Sequence, residues 1–149
     1  MIVHSVAIFL TLLYFFNMTF ESDKTIAYWA ESSAYDLETG ATLLRSKKYP
    51  YALFFGHLAI EKILKALVVK HTGTHAPYSH SLVMLAKKTG FEIPDEMFDQ
   101  LAEFMEFHTE ARYPDVKMDF YQKCTKEFAA EKYKEIKKVY KWLRKKSEI

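Results

Sequence analysis

The stretch YPYALFFGHLAIEKILKAL, residues 49–67, decides how this chain is read. It is apolar on nearly every side, and Pro50 suits the first turn of a helix. A run of this kind is the central helix of a bundle, enclosed by its neighbours. Within it His57, Glu61 and Lys65 recur at four-residue spacing, so on a helix they share one side. A polar stripe on an enclosed helix must be satisfied by partners or face something outside the domain. Glu61 precedes Lys65 in the favoured order for a helical ion pair, so a pair on a solvated face, worth a few tenths of a kcal/mol, is the plain alternative. His57, set among Phe55, Gly56, Leu58 and Ala59, is either a satisfied core histidine or a member of a site. Gly56 costs a helix up to about 1 kcal/mol relative to Ala, so it marks close approach of another helix or of a ligand.

The rest of the chain supports a helical reading. It has 149 residues, half of them hydrophobic, with only 4 Gly and 4 Pro; this is one domain with a sizeable core, and its composition favours helices. The spacing predicts a first helix over 23–46, capped by Ser22 or Asp23, with Ile26, Trp29, Ala30, Ala34, Leu37, Ala41 and Leu44 on its buried face. The second spans 50–71 and ends at Gly73 in a left-handed turn. Ser79 caps a short third helix over 80–88, closed by Gly90. A fourth begins at Pro94-Asp95-Glu96, carries Met97, Leu101, Phe104, Met105 and His108 at burial spacing, and stops near Arg112, ahead of Pro114. Residues 116–124 read as an aromatic, irregular stretch. Thr125 caps a fifth helix over 126–146. The expected fold is all-α: an antiparallel bundle of four long helices plus one short helix.

Residues 1–20 stand apart, with no Lys, Arg, Asp or Glu. They are read as an apolar leader upstream of a true start at Met18, or as a membrane anchor at the short limit of spanning length. Residues 21–149 form the helical domain. The net charge of +2 is too small to argue for nucleic acid by itself. The basic run Lys132, Lys134, Lys137, Lys138, Lys141, Arg144, Lys145 and Lys146 is diluted by Glu131 and Glu135 and reads first as a solvated face. Cys124 is the single cysteine, which excludes an internal disulfide and a multi-cysteine zinc site and suits a reducing cytoplasm. His71, His75 and His80 surround one loop without the spacing of a known zinc motif, so no metal and no cofactor is expected. Of the three, His80 is the candidate for a role, because it begins a helix where amide groups attract anions. The motif Arg112-Tyr113-Pro114-Asp115 has two readings: a helix stop in which Arg112 pairs with Asp115, or an anion clamp of guanidinium beside an aromatic ring.

Several ordered motifs carry a family resemblance: Tyr28-Trp29-Ala30-Glu31-Ser32, Tyr35-Asp36-Leu37, Lys48-Tyr49-Pro50 onward through Glu61-Lys62, Lys65-Ala66-Leu67, Pro77-Tyr78-Ser79-His80-Ser81-Leu82, and Ala111 through Asp115. Over residues 22–144 the chain resembles HEPN domain proteins, the nucleotide-binding domain shared by higher eukaryotes and prokaryotes. The resemblance implies a helical bundle, a homodimer, and a minimal nucleotidyltransferase as partner chain in a toxin–antitoxin-like module. The leading expectation is binding of a nucleotide or of that partner by His57, Glu61, Lys65, His80, Arg112, Tyr113 and Asp115, with no catalytic residue. Some HEPN proteins are metal-independent ribonucleases with an Arg-x(4–6)-His signature. That signature is absent here: Arg45 is followed in the window by Pro50, Tyr51 and Ala52, Arg112 by Lys117, Met118 and Asp119, and Arg144 by Ile149 alone. His108 precedes Arg112 in reversed order. A ribonuclease toxin, built from His57 or His108 with Arg112, is therefore the alternative, and a purely structural helical subunit is the third. RNA has weak support as a partner, and a membrane is a partner only if the first segment is part of the native protein.

Overall fold

Two long helices form a hairpin around which everything else is assembled. In the computed structural model, which describes residues 20–113 and 118–149, α1 (Ser22–Arg45) runs into α2 (Tyr49–Thr72) through three residues. So short a link makes the pair antiparallel. The turn is a Schellman closure: Lys48 N–H bonds Leu43 O at 2.8 Å and Lys47 N–H bonds Leu44 O at 3.1 Å. Lys47 takes the left-handed conformation, with φ of 60°, at the position that glycine usually fills. Gly73, with φ of 67°, ends α2 as expected.

Among the described residues four more helices follow: α3 (Leu82–Lys87), α4 (Asp95–Glu110), α5 (Met118–Lys123) and α6 (Lys126–Ser147). The all-α architecture is the one anticipated, with three differences of detail. Residues 118–123, read as irregular, are helical, and Phe120 on that turn is buried in the core; six residues are too few for periodicity to register. The start of α3 is capped by Ser81, whose Oγ accepts from Met84 N–H at 3.3 Å, rather than by Ser79. Likewise α1 begins after Glu21, and neither Ser22 nor Asp23 caps it. Thr125 caps α6 as expected, accepting from Phe128 N–H at 3.2 Å.

The core is α2. Leu53, Ile60, Ile63, Leu64 and Leu67 are buried against Leu101, Phe104 and Phe107 of α4 and Tyr133, Ile136, Val139 and Leu143 of α6. Two glycines set how closely the helices meet. A Cβ on Gly40 would lie 2.5 Å from Tyr133 Oη and 3.0 Å from Ala52 O. One on Gly56 would lie 2.7 Å from Ile136 Cδ1, so the neighbour for which Gly56 makes room is α6, not a ligand. Tyr133 donates its hydroxyl hydrogen to Leu37 O, tying α6 to α1. The apolar leader, residues 1–20, lies outside the described residues apart from Phe20. Among the described residues no helix is long and apolar enough to cross a membrane.

Candidate functional site

Glu61 is the centre of the polar stripe. Its helix is enclosed by its neighbours, so Glu61 is 4% exposed and its carboxylate must be compensated where it stands. Lys65, one turn later, donates from Nζ to Oε1 at 2.8 Å. His80 donates from Nδ1 to Oε2 at 3.0 Å. His57, one turn earlier, places Nε2 3.3 Å from the same Oε2. Burial pushes the Glu61 carboxyl upward, but the His57 ring, the Lys65 ammonium and the His80 ring outweigh it and hold the group down at about 2. Lys65 also lies 5.0 Å above the ring of Trp29 from α1, a cation–π contact that further settles a buried ammonium. The trio is therefore neither a solvated pair nor a scattered set.

The far wall comes from α4. His108 stacks on His80, ring centres 4.5 Å apart, and lies 4.8 Å from the His57 ring. Its neighbours on α4 complete the frame: Phe104 O accepts from His57 Nδ1 at 3.1 Å. Burial, then the nearby His57, Arg112 and His80, push His108 down to about 4, with Glu61 opposing. The imidazole is thus neutral at pH 7. Arg112, just past the end of α4, donates from Nε to His108 O at 3.1 Å, satisfying a carbonyl of the last turn, and from Nη2 to His108 Nδ1 at 3.2 Å. Its guanidinium carbon lies 5.9 Å from the Phe54 ring and 5.5 Å from the Tyr113 ring. Tyr113 and Tyr78 are exposed, and Tyr78 flanks His80 at 6.2 Å.

The structure thus brings together six of the seven anticipated residues: His57, Glu61, Lys65 and His80 in one cluster, with Arg112 and Tyr113 at its edge. Asp115 lies outside the described residues, and so does any pairing of it with Arg112. His80 joins for a different reason from the one anticipated. It precedes α3 instead of beginning it, and what it meets is Glu61 rather than amide groups. The other loop histidines go elsewhere, His71 beneath Gly90 and His75 against Phe20. Sequence reasoning placed His108 only as a core position or as an alternative partner of Arg112. A signal that could have marked it is the four-residue step from His108 to Arg112, which puts both on one side of a helix. Of the basic run on α6, Lys132 is held between Glu103 at 2.8 Å and Glu135 at 3.2 Å. Among the described residues, His57, Glu61 and His108 bring one donor atom each within 4.8 Å of one another, a set able to hold a metal ion.

Comparison with known proteins agrees with this frame. The family model of the HEPN domain matches residues 26–146. The crystal structure of TT1696 from Thermus thermophilus superposes with a TM-score of 0.71 at 20% identity, covering 81% of this chain and 97% of that one. The crystal structure of ST0689, described as an archaeal HEPN homologue, superposes with a TM-score of 0.65 at 22% identity, covering 82% and 97%. At such identities these two likenesses establish the fold alone. No curated protein sequence matches. The match of the family model over most of the chain, on the helices that carry the cluster, makes this chain a member of the HEPN domain family.

Proposed function

We propose that the corner where α2, α4 and the loop before α3 meet binds the anionic phosphate of a nucleotide. One observation carries the reading: a single buried carboxylate is surrounded by more basic groups than it can neutralise. Among the described residues Lys65 and Arg112 stand against the one carboxylate of Glu61, and the Arg112 end of the group faces outward. A guanidinium flanked by Phe54 and Tyr113 suits a phosphate beside a base, the planar fork taking the phosphate oxygens and the exposed ring offering a stacking face. His80, half exposed, completes the rim. His57, Glu61 and Lys65 lie beneath it and fix the rim's position; they do not touch the ligand.

The domain is further proposed to act as a homodimer in the cytoplasm, beside a minimal nucleotidyltransferase chain in a toxin–antitoxin-like module. Cys124, solitary and buried, suits that compartment. Calorimetric titration with ATP and other nucleotides tests the site. Wild type binds, and Arg112→Ala binds at least about tenfold more weakly, the loss of a charge-assisted phosphate contact. Equal binding by both proteins removes the site from this corner.

A specific observation favours a second reading, a metal-independent ribonuclease: the reversed His108–Arg112 pair is hydrogen-bonded, and His80 stacks on it with half its side chain in solvent. Of the three histidines His80 alone is open enough to exchange a proton with a ribose. RNA incubated with the protein and a chelator separates the readings. Cleavage that disappears in His80→Ala supports the enzyme; intact RNA supports the binding domain.

A further inference from the structure

The floor of the cluster holds chemistry that a phosphate at its rim does not use. His57 is fully buried, and its Nδ1 faces the Phe104 carbonyl oxygen at 3.1 Å. A carbonyl only accepts, so in the neutral ring Nδ1 carries the proton and Nε2 presents its lone pair to the cluster, whereas a doubly protonated ring donates from Nε2 to Glu61. Nε2 has no hydrogen-bond partner among the described residues, yet it stands 3.3 Å from Glu61 Oε2. Glu61 Oε2 already accepts from His80 and Oε1 from Lys65, so it is Nε2 that lacks a partner, and a cation held between it and Oε2 would supply one. A proton on Nε2 is one answer, but the contact is longer than the roughly 2.7–2.9 Å of a charge-assisted bond and poorly aligned for one.

We propose that His57 Nε2, a Glu61 carboxylate oxygen and a ring nitrogen of His108 form a three-point site for a late first-row divalent transition ion, zinc foremost. The proposal does not depend on nucleotide binding, because these three side chains lie beneath the rim that would meet a phosphate. Three features support it. First, tetrahedral bonds of about 2.0–2.1 Å put neighbouring ligand atoms roughly 3.3 Å apart, which is the His57–Glu61 separation. Second, the supports expected behind such ligands are in place: the Phe104 carbonyl orients His57, and Lys65 holds the other Glu61 oxygen at 2.8 Å. Third, two imidazoles and one carboxylate match zinc, cobalt or nickel better than magnesium or calcium. The donor atoms of all three residues already lie within 4.8 Å of one another, so closure moves the His108 ring by roughly 1.5 Å at most. The fourth position would be open, bordered by His80.

Arg112 opposes this ion whichever nitrogen His108 offers. Its Nη2 donates to Nδ1, so it either occupies that lone pair or keeps the ring proton on Nε2. Arg112→Ala therefore acts in opposite directions on the two ligands, strengthening the metal and weakening the nucleotide.

The test uses the full chain, stripped with a chelator and dialysed. Zn²⁺ is titrated by calorimetry and Co²⁺ by visible absorption near neutral pH. One saturable equivalent is expected, with the intense visible bands of four- or five-coordinate cobalt. His57→Gln and His108→Asn each lower the affinity at least about tenfold, Arg112→Ala raises it severalfold, and His71→Ala with His75→Ala leaves it unchanged. Circular dichroism reports which variants fold; if His57→Gln does not, His108→Asn and Arg112→Ala decide. No saturable binding to wild type overturns the proposal, as does binding that follows His71 and His75 instead of His57 and His108. Zinc binding that persists while nucleotide binding fails supports the metal site and removes only the phosphate reading.

Discussion

Glu61 and Lys62 are adjacent on α2, yet they enter two polar groups of opposite character. Lys62 reaches across to α1, where its Nζ meets Asp36 Oδ2 at 2.6 Å and Ser32 Oγ at 2.7 Å. One cation meets one carboxylate, and the nearby Ser33 and Tyr140 hydroxyls bond each other at 3.1 Å. This seam is balanced. It specifies how α1 lies on α2 and leaves nothing over. Glu61 faces the other way and gathers Lys65, His57 and His80 directly, with His108 and Arg112 behind. Among the described residues that group holds more basic side chains than carboxylates, and its Arg112 end opens toward solvent. A balanced buried pair is explained by folding; an unbalanced one calls for a ligand.

The largest expected effect breaks this comparison directly. Exchanging the whole seam pair, Asp36→Leu with Lys62→Met, removes both charges at once, and such exchanges are often neutral. Glu61→Ala leaves the Lys65 ammonium buried without its carboxylate, and the cost is about 3–5 kcal/mol. Urea unfolding of the two variants measures the contrast. If Glu61→Ala costs no more than the seam exchange, the two groups are alike and the distinction fails.

Acid sharpens it next. Glu61 has its folded value lowered to about 2 from 4.5, so it stabilises the fold above pH 4.5 and the contribution is lost as pH falls toward 2. With allowance for partial solvent screening, the loss is about 2 kcal/mol. His108 is lowered from 6.5 to about 4. The unfolded chain binds its proton first, so stability rises with pH between about 4 and 6.5 and falls on acidification through the same range. Stability followed against pH should therefore decline in two steps. His108→Asn removes the upper step and Glu61→Gln the lower one. A single decline unaffected by either variant contradicts the assignment.

The bundle was legible because its marks are local. The apolar run around Ile60, the Pro50 and Gly73 boundaries and the Thr125 cap each act within a few residues, and each reads correctly. Among the described residues the helix that was missed, Met118–Lys123, is too short to show a period and is held by burying Phe120 in a distant core. The trio at His57, Glu61 and Lys65 was legible for the same reason as the bundle, a four-residue step along one helix. What closes the cluster was not. His80 meets Glu61 across a loop and His108 meets His57 from another helix; those encounters are set by how α3 and α4 pack, which no spacing encodes. Gly56 illustrates the ambiguity that remains when spacing is all there is: a mark of close approach was visible, but not that Ile136 was what approached.

The seam has its own smaller test. Gly40→Ala places a methyl against Tyr133 Oη and the Ala52 carbonyl, both held in place, and costs about 2 kcal/mol. Gly56→Ala meets side-chain atoms alone, Ile136 Cδ1 at 2.7 Å and Cγ2 at 3.3 Å and the Tyr133 ring at 3.4 Å, and no backbone, while the helix gains up to about 1 kcal/mol of propensity. Thermal unfolding should rank Gly40→Ala as the more damaging. Equal damage means that α6 cannot yield at Ile136.

The smallest effect on stability belongs to Arg112→Ala, and for that reason it discriminates best. Arg112 is exposed, and its bonds to the His108 carbonyl and ring lie at a helix end. Removing them costs less than about 1 kcal/mol, the scale of an exposed cap or pair. An arginine kept to hold the fold would show its loss in unfolding; one kept to hold an anion would show it in binding. Urea midpoints within experimental error of wild type, together with nucleotide binding weakened about tenfold, place Arg112 with the ligand. A stability lowered by several kcal/mol would instead make the corner a second structural seam, and the unbalanced charge around Glu61 would then be a requirement of packing after all.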